Sequence, residues 1–112
     1  MITLSDLKGI NRFICEDNRQ ESIVINESNL LSALSVQQWY ENLADRASAL
    51  VRSLTIAHGF QDGNKRTAAT AGMLIKSYTC SEQDLIDCIL EIALGNLKNV
   101  SEIREILYPD GD

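Results

Sequence analysis

Apolar residues recur at helical spacing along almost the whole chain, and one short run, Ser22-Ile-Val-Ile25, is the only β-branched cluster that favours extended structure. A single strand with no obvious partner builds no sheet, so the pattern predicts an all-α fold in which that run is a short strand or an extended flap. Leu4, Leu7, Ile10 and Ile14 predict a first helix over about 4–16, with Ser5 and Asp6 in its first turn and the polar run Glu16 to Gln20 breaking it. A second helical pattern starts at Asn26 and runs through Leu30, Leu31 and Leu34. Ser35-Val-Gln-Gln38 has capping-box spacing, and Val36, Trp39, Leu43, Ala47, Leu50 and Leu54 trace one apolar face from there to about Ala57, which assigns Trp39 to the core.

Further along, Ala68, Ala69, Ala71 and Gly72 predict a helix over Thr67 to Tyr78 whose small side chains let neighbours approach its backbone, so it should sit centrally. Ser81-Glu-Gln-Asp84 is a second capping box, opening a helix with Leu85, Ile89 and Ile92 inward and an end at Gly95. Asn99 begins the last helix, with Val100, Ile103 and Leu107 inward and Pro109 stopping it. With 112 residues, no internal repeat and no linker, residues 1–112 read as one compact helical bundle of five or six helices.

Charge and cysteine usage narrow the function classes. A net charge of −6 disfavours direct nucleic-acid binding, so an anion must be held locally, and the tightest basic pair is Lys65-Arg66. The odd number of cysteines, Cys15, Cys80 and Cys88, has no C-x-x-C spacing and suits a reducing compartment. Neither a signal peptide nor a membrane span is expected, and the cytoplasm is the expected location.

The chemistry concentrates in Ala57 to Thr70, AHGFQDGNKRTAAT, which holds the only histidine. A helix that begins near Gly63 or Asn64 presents unpaired backbone N–H groups and the positive end of its dipole. Gly63 lets that backbone approach a phosphate, and Lys65 and Arg66 add full positive charge. Asp62 fits this cationic nest as a ligand for Mg²⁺, which binds through one or two carboxylates together with substrate phosphates. His58, four residues earlier, is the side chain suited to take a hydroxyl proton near neutral pH. Each residue also has a plain structural role open to it: a core or surface histidine, solvated helix cations, a turn and cap at Asp62-Gly63-Asn64. Phe60 reads as the apolar anchor of the loop.

The run His58-Gly-Phe60-Gln-Asp62-Gly63-Asn64-Lys65-Arg66 resembles the signature of the Fic/Doc superfamily, H-x-F-x-[DE]-[GA]-N-[GK]-[RK], which precedes a central helix in that fold. The resemblance extends over nearly the whole chain, and the short length is similar to the compact Doc toxins. It implies His58 as general base, Asp62 as the Mg²⁺ ligand, and Gly63, Asn64, Lys65 and Arg66 as the phosphate-binding residues. It also implies that Ser22, Ile23, Val24 and Ile25 form a flap over the target peptide, able to hold it by strand addition; filler of a buried loop is the alternative.

The implied activity is transfer of a phosphate-containing group from ATP, with Mg²⁺, to a Ser or Thr hydroxyl of a protein. Lys65 stands where AMP-transferring members usually have glycine, and Ala69 where they usually have a second arginine. Both favour the Doc-like kinase outcome, for which the resemblance implies elongation factor Tu as target; Gly63, where the Doc pattern has alanine, keeps AMP transfer as the alternative. The resemblance further implies a separate antitoxin, since Ser101-Glu-Ile-Arg-Glu105 followed by Ile106 is no convincing internal brake. A catalytically inactive binding module is the second alternative, and nuclease activity a third that the net charge opposes.

Overall fold

The computed structural model describes residues 1–111. Its elements are α1 (Leu4–Asp17), α2 (Glu27–Ser35), a 3₁₀ turn (Val36–Trp39), α3 (Leu43–Ala57), α4 (Asn64–Ile75), α5 (Glu82–Ala93) and α6 (Val100–Leu107). The only extended pairing among the described residues is an isolated antiparallel bridge between Val24 and Phe60. The fold is therefore all-α, as the periodicity predicts, and no helix among the described residues is long and apolar enough to cross a membrane.

The helix starts follow from local capping. Thr3 accepts from the Asp6 N–H at 3.1 Å while Asp6 returns a bond to the Thr3 N–H at 2.9 Å, a reciprocal box that begins α1. Asn26, Asn42, Ser81 and Asn99 each accept a first-turn N–H at the head of α2, α3, α5 and α6.

The single helix expected from Ser35 to Ala57 is two elements. Ser35 has helical dihedrals and caps nothing, and the chain tightens into the 3₁₀ turn before it straightens at Tyr40. The reason lies at Gln37, whose amide exchanges two 2.9 Å bonds with the Ile2 backbone and gives a third to the Leu34 carbonyl. That buried amide holds the inward position of the turn, and Trp39 is left 79% exposed, so its expected place in the core is corrected.

Two apolar clusters share α3. On one side Leu7, Leu30, Leu50, Leu54, Phe60, Ala68 and Ala71 join α1, α2 and α4 to it. On the other, Ala44, Ala47 and Val51 meet Cys88, Ile89, Ile92, Ile103, Leu107 and Tyr108 from α5, α6 and the chain after them. Ala68, Ala71 and Gly72 of α4 are buried, and a Cβ on Gly72 would run into Val51 and the Tyr78 hydroxyl, so the small residues do admit close neighbours. α4 begins at Asn64, three residues before Thr67, and ends at Ile75 rather than Tyr78. Tyr78 folds back instead, donating its hydroxyl to the Ala69 carbonyl at 2.6 Å, and burial holds that phenol well above its usual pKa.

Candidate active site

The loop between α3 and α4 is shaped by backbone conformations that sequence alone does not reveal. α3 ends at His58, which takes the left-handed conformation (φ 47°, ψ 46°) and reverses the chain. The next residue, Gly59, is buried under Leu30, where any Cβ would overlap the leucine side chain. Phe60 then enters the core at 2% exposure, anchoring the loop as expected. Gly63 is left-handed as well (φ 77°) and heads α4 with no side-chain cap.

Asn64 locks the loop onto the helix. Its Oδ1 accepts from the Phe60 N–H at 3.0 Å and its Nδ2 donates to the Phe60 carbonyl at 2.7 Å. The side chain of Asn64 is thus occupied by the loop, and what this residue offers an anion is its backbone N–H. With no side-chain cap at Gly63, the N–H groups of Asn64, Lys65 and Arg66 open α4 with no acceptor inside the helix. Lys65 and Arg66 are exposed at the same end.

These residues line one cleft of about 560 Å³. His58, Asp62, Gly63, Asn64, Lys65 and Arg66, all six residues marked in the sequence, contribute to its wall, together with Gln61. Asp62 is its single acid, and the remaining oxygen donors are the amides of Asn18, Gln20 and Gln61. One carboxylate with neutral oxygens is a hard donor set that suits Mg²⁺ shared with phosphates. Among the described residues no group of three His, Cys, Asp or Glu side chains converges on a metal position, so a cation here would draw most of its shell from water or phosphate oxygens.

The extended run pairs with the loop itself. Ile25 and Asn26 donate their N–H groups to the Gly59 carbonyl at 2.8 and 3.1 Å, and Gln61 donates to the Ile23 carbonyl at 2.9 Å. The strand without an obvious partner has one, a segment that the sequence marks for chemistry rather than for β-structure. Ser22 lies at the start of this segment and donates to the Asn11 Oδ1 at 2.6 Å.

The cleft's opposite wall comes from α1 and the turn after it, through Ile14, Asn18 and Gln20. Sequence reasoning missed these, and the available signal was weak: a polar run that reads as a helix end. It also missed Asn11 and Cys15, both fully buried behind the loop. The Cys15 thiol is pushed up from its ordinary pKa, first by burial and then by the Asp62 carboxylate, which disfavours its thiolate.

The model of the Fic/DOC family matches residues 2–75, from the segment that leads into α1 to the last residue of α4, and so takes in every residue of the cleft. No curated protein and no solved structure matches the chain significantly.

Proposed function

The chain belongs to the Fic/DOC family, and on that premise we propose that it transfers the γ-phosphoryl group of ATP to a Ser or Thr hydroxyl of a protein, in the manner of Doc toxins. The observation that carries the reading is the convergence of His58, Asp62 and the uncapped start of α4 with Lys65 and Arg66 on one cleft. Phosphoryl transfer asks a protein mainly for positioning and charge neutralisation, and this wall offers both.

In the proposed reaction His58 takes the acceptor hydroxyl proton, the hydroxyl oxygen bonds to the γ-phosphorus, and the bond to the β–γ bridging oxygen breaks to leave ADP. Negative charge on the phosphate oxygens faces the N–H groups of Asn64, Lys65 and Arg66 and the two cationic side chains. Asp62 would hold Mg²⁺, which would supply neutralising charge to the phosphates. The extended run 22–25 already uses one edge against the loop, and its other edge is suited to accept the backbone of a target peptide. Elongation factor Tu is the proposed target and a separate antitoxin the proposed partner, the latter seating a segment that folds on an apolar groove.

Two residues favour γ over α transfer. Lys65 adds a full charge next to Arg66, and Ala69 lies one turn on, half-buried against the core, with no second arginine there. AMP transfer is the second reading, favoured by glycine at Gly63. The test is a pair of reactions in a bacterial translation extract with Mg²⁺, one with γ-labelled and one with α-labelled ATP, beside His58→Ala. Protein label from γ alone that disappears in His58→Ala is the expected result. Label from α makes the protein an AMP transferase, and no His58-dependent label from either nucleotide sinks both readings and leaves a binding module or a donor other than ATP.

A further inference from the structure

We infer that Asn11 is a positioning residue for this reaction: from inside the fold it fixes the Asp62–Gly63 peptide, on which the cation ligand and the phosphate nest both depend, and it ties the extended run at Ser22 to them. The inference rests on the function proposed above.

Asn11 sits on α1 with no exposed surface. Its Nδ2 donates to the Asp62 carbonyl at 2.8 Å and to the Thr67 Oγ1 at 3.2 Å. Its Oδ1 accepts from the Ser22 Oγ at 2.6 Å and from the Cys15 Sγ at 3.5 Å. A carboxamide has two donor hydrogens and two acceptor positions, so this side chain is fully used. An apolar residue would fill the same helix face without the desolvation cost of a buried amide. What the amide adds is a set of directed bonds to three segments that meet at the cleft.

The geometry of the contact explains what it fixes. In a trans peptide the C=O and N–H point to opposite sides, so tying the Asp62 carbonyl to Asn11 turns the Gly63 N–H away from α1. The same peptide carries the Asp62 side chain on one flank and the left-handed Gly63 on the other. A Cβ on Gly63 would stand 3.1 Å from the Asn11 Nδ2, close enough that the amide would have to shift by a few tenths of an ångström to admit it. Thr67, the second target of the Nδ2, closes the first turn of α4 through its N–H to the Gly63 carbonyl at 2.9 Å. Asn11 therefore holds the chain on both sides of the three N–H groups that open α4, at the Asp62 backbone carbonyl before them and at the Thr67 hydroxyl after them. Through Ser22 the same amide restrains the run proposed to hold the acceptor, so donor and acceptor positions share one internal fastening.

Mg²⁺-ATP affinity, measured by titration calorimetry well below the melting temperature, separates positioning from mere stability. Asn11→Ala is expected to weaken binding by on the order of tenfold or more, as displacement of binding groups by fractions of an ångström does. Ser22→Ala, at an exposed position that tolerates the change, is expected to weaken it by about threefold and to speed hydrogen exchange at the Ile25 N–H. Leu107→Ala, in the cluster behind α3, serves as the stability control: it lowers the melting temperature but leaves the affinity at the wild-type value. Asn11→Ala with wild-type affinity overturns the inference, as does an equal loss in Leu107→Ala. Should Asn11→Ala fail to fold, Ser22→Ala decides, and unchanged affinity with unchanged exchange there overturns it as well. A wild-type protein that binds no Mg²⁺-ATP removes the proposed function and this role with it, whereas failure against a binding wild type removes the inference alone.

Discussion

Asn64→Ala removes the one side chain that bonds both backbone groups of Phe60, and its cost can be worked from the structure. Two hydrogen bonds disappear, at 3.0 and 2.7 Å, each with a net worth of about 0.5–1.5 kcal/mol. Phe60 is 2% exposed, so its N–H and C=O are poorly placed to recruit water, and the full desolvation penalty of about 1–3 kcal/mol applies to at least one of them. Alanine at a helix start recovers about 0.5 kcal/mol of propensity. The expected net loss is about 2–3 kcal/mol. With an unfolding entropy of roughly 2.1 cal/mol/K for each of the 112 residues, that corresponds to a fall of about 10 °C in Tm. Calorimetric melts at pH 7 measure it, beside Asn64→Asp, which keeps the acceptor for the Phe60 N–H but sets a carboxylate oxygen against the Phe60 carbonyl where the Nδ2 donated. The aspartate variant is therefore expected to be destabilised as well, despite its favourable charge at the head of α4. A fall of under about 2 °C for Asn64→Ala would refute the reasoning, because on this size scaling it leaves no room for two internal bonds.

His58→Gly is expected to raise Tm by a few degrees while abolishing His58-dependent labelling, since glycine takes the left-handed conformation without the cost of about 1 kcal/mol that a side chain incurs there; a lower Tm contradicts it. Gly72→Ala is expected to destabilise by about 1–3 kcal/mol in urea titrations despite alanine's better helix propensity, because the added methyl meets Val51 and the Tyr78 hydroxyl. Burial pushes the Cys88 thiol up to about 11 from an ordinary 9.0, and the Tyr78 and Tyr108 phenols move in the same direction for the same reason. The folded protein thus holds protons that the unfolded chain releases, so this stability is complete below pH 9 and declines as pH rises from there through about 11. Urea midpoints at pH 7, 9 and 10.5 check the sign, and a midpoint that climbs over that range opposes it.

What the sequence made legible was contiguous. The histidine, acid, glycine and cations of the cleft fall within nine residues, His58 to Arg66, and the local chemistry of a helix start ties them together without any knowledge of the rest of the chain. Helix faces were legible for the same reason, because each is a local period. The division before α3 was not: Gln37 reads as one more polar residue until its amide is seen bonded to Ile2, 35 positions away. Asn11 was hidden in the same manner, as a polar residue in an amphipathic helix whose partners lie across the fold. The role of Asn64 was half legible, since its place at the head of α4 follows from the motif but the capture of its side chain by Phe60 depends on how the loop turns. The partner of the extended run was missed because a single bridge leaves no alternation to detect.

The fastening at Asn11 decides when the cleft can form in a chain still being synthesised. Asn11 meets Asp62 and Thr67 across separations of 51 and 56 residues, so the bonds that shape the cleft close one of the longer loops in the molecule. Contacts of such sequence separation form after local helices, since the chain entropy of closing the loop must be overcome first. A ribosome-bound chain that has exposed only α1 to α3 holds neither Asp62 nor the start of α4, and has nothing for Asn11 to grip. The cleft wall therefore forms only with the docking of α1 onto α4, and a product cut off before Asp62 lacks it.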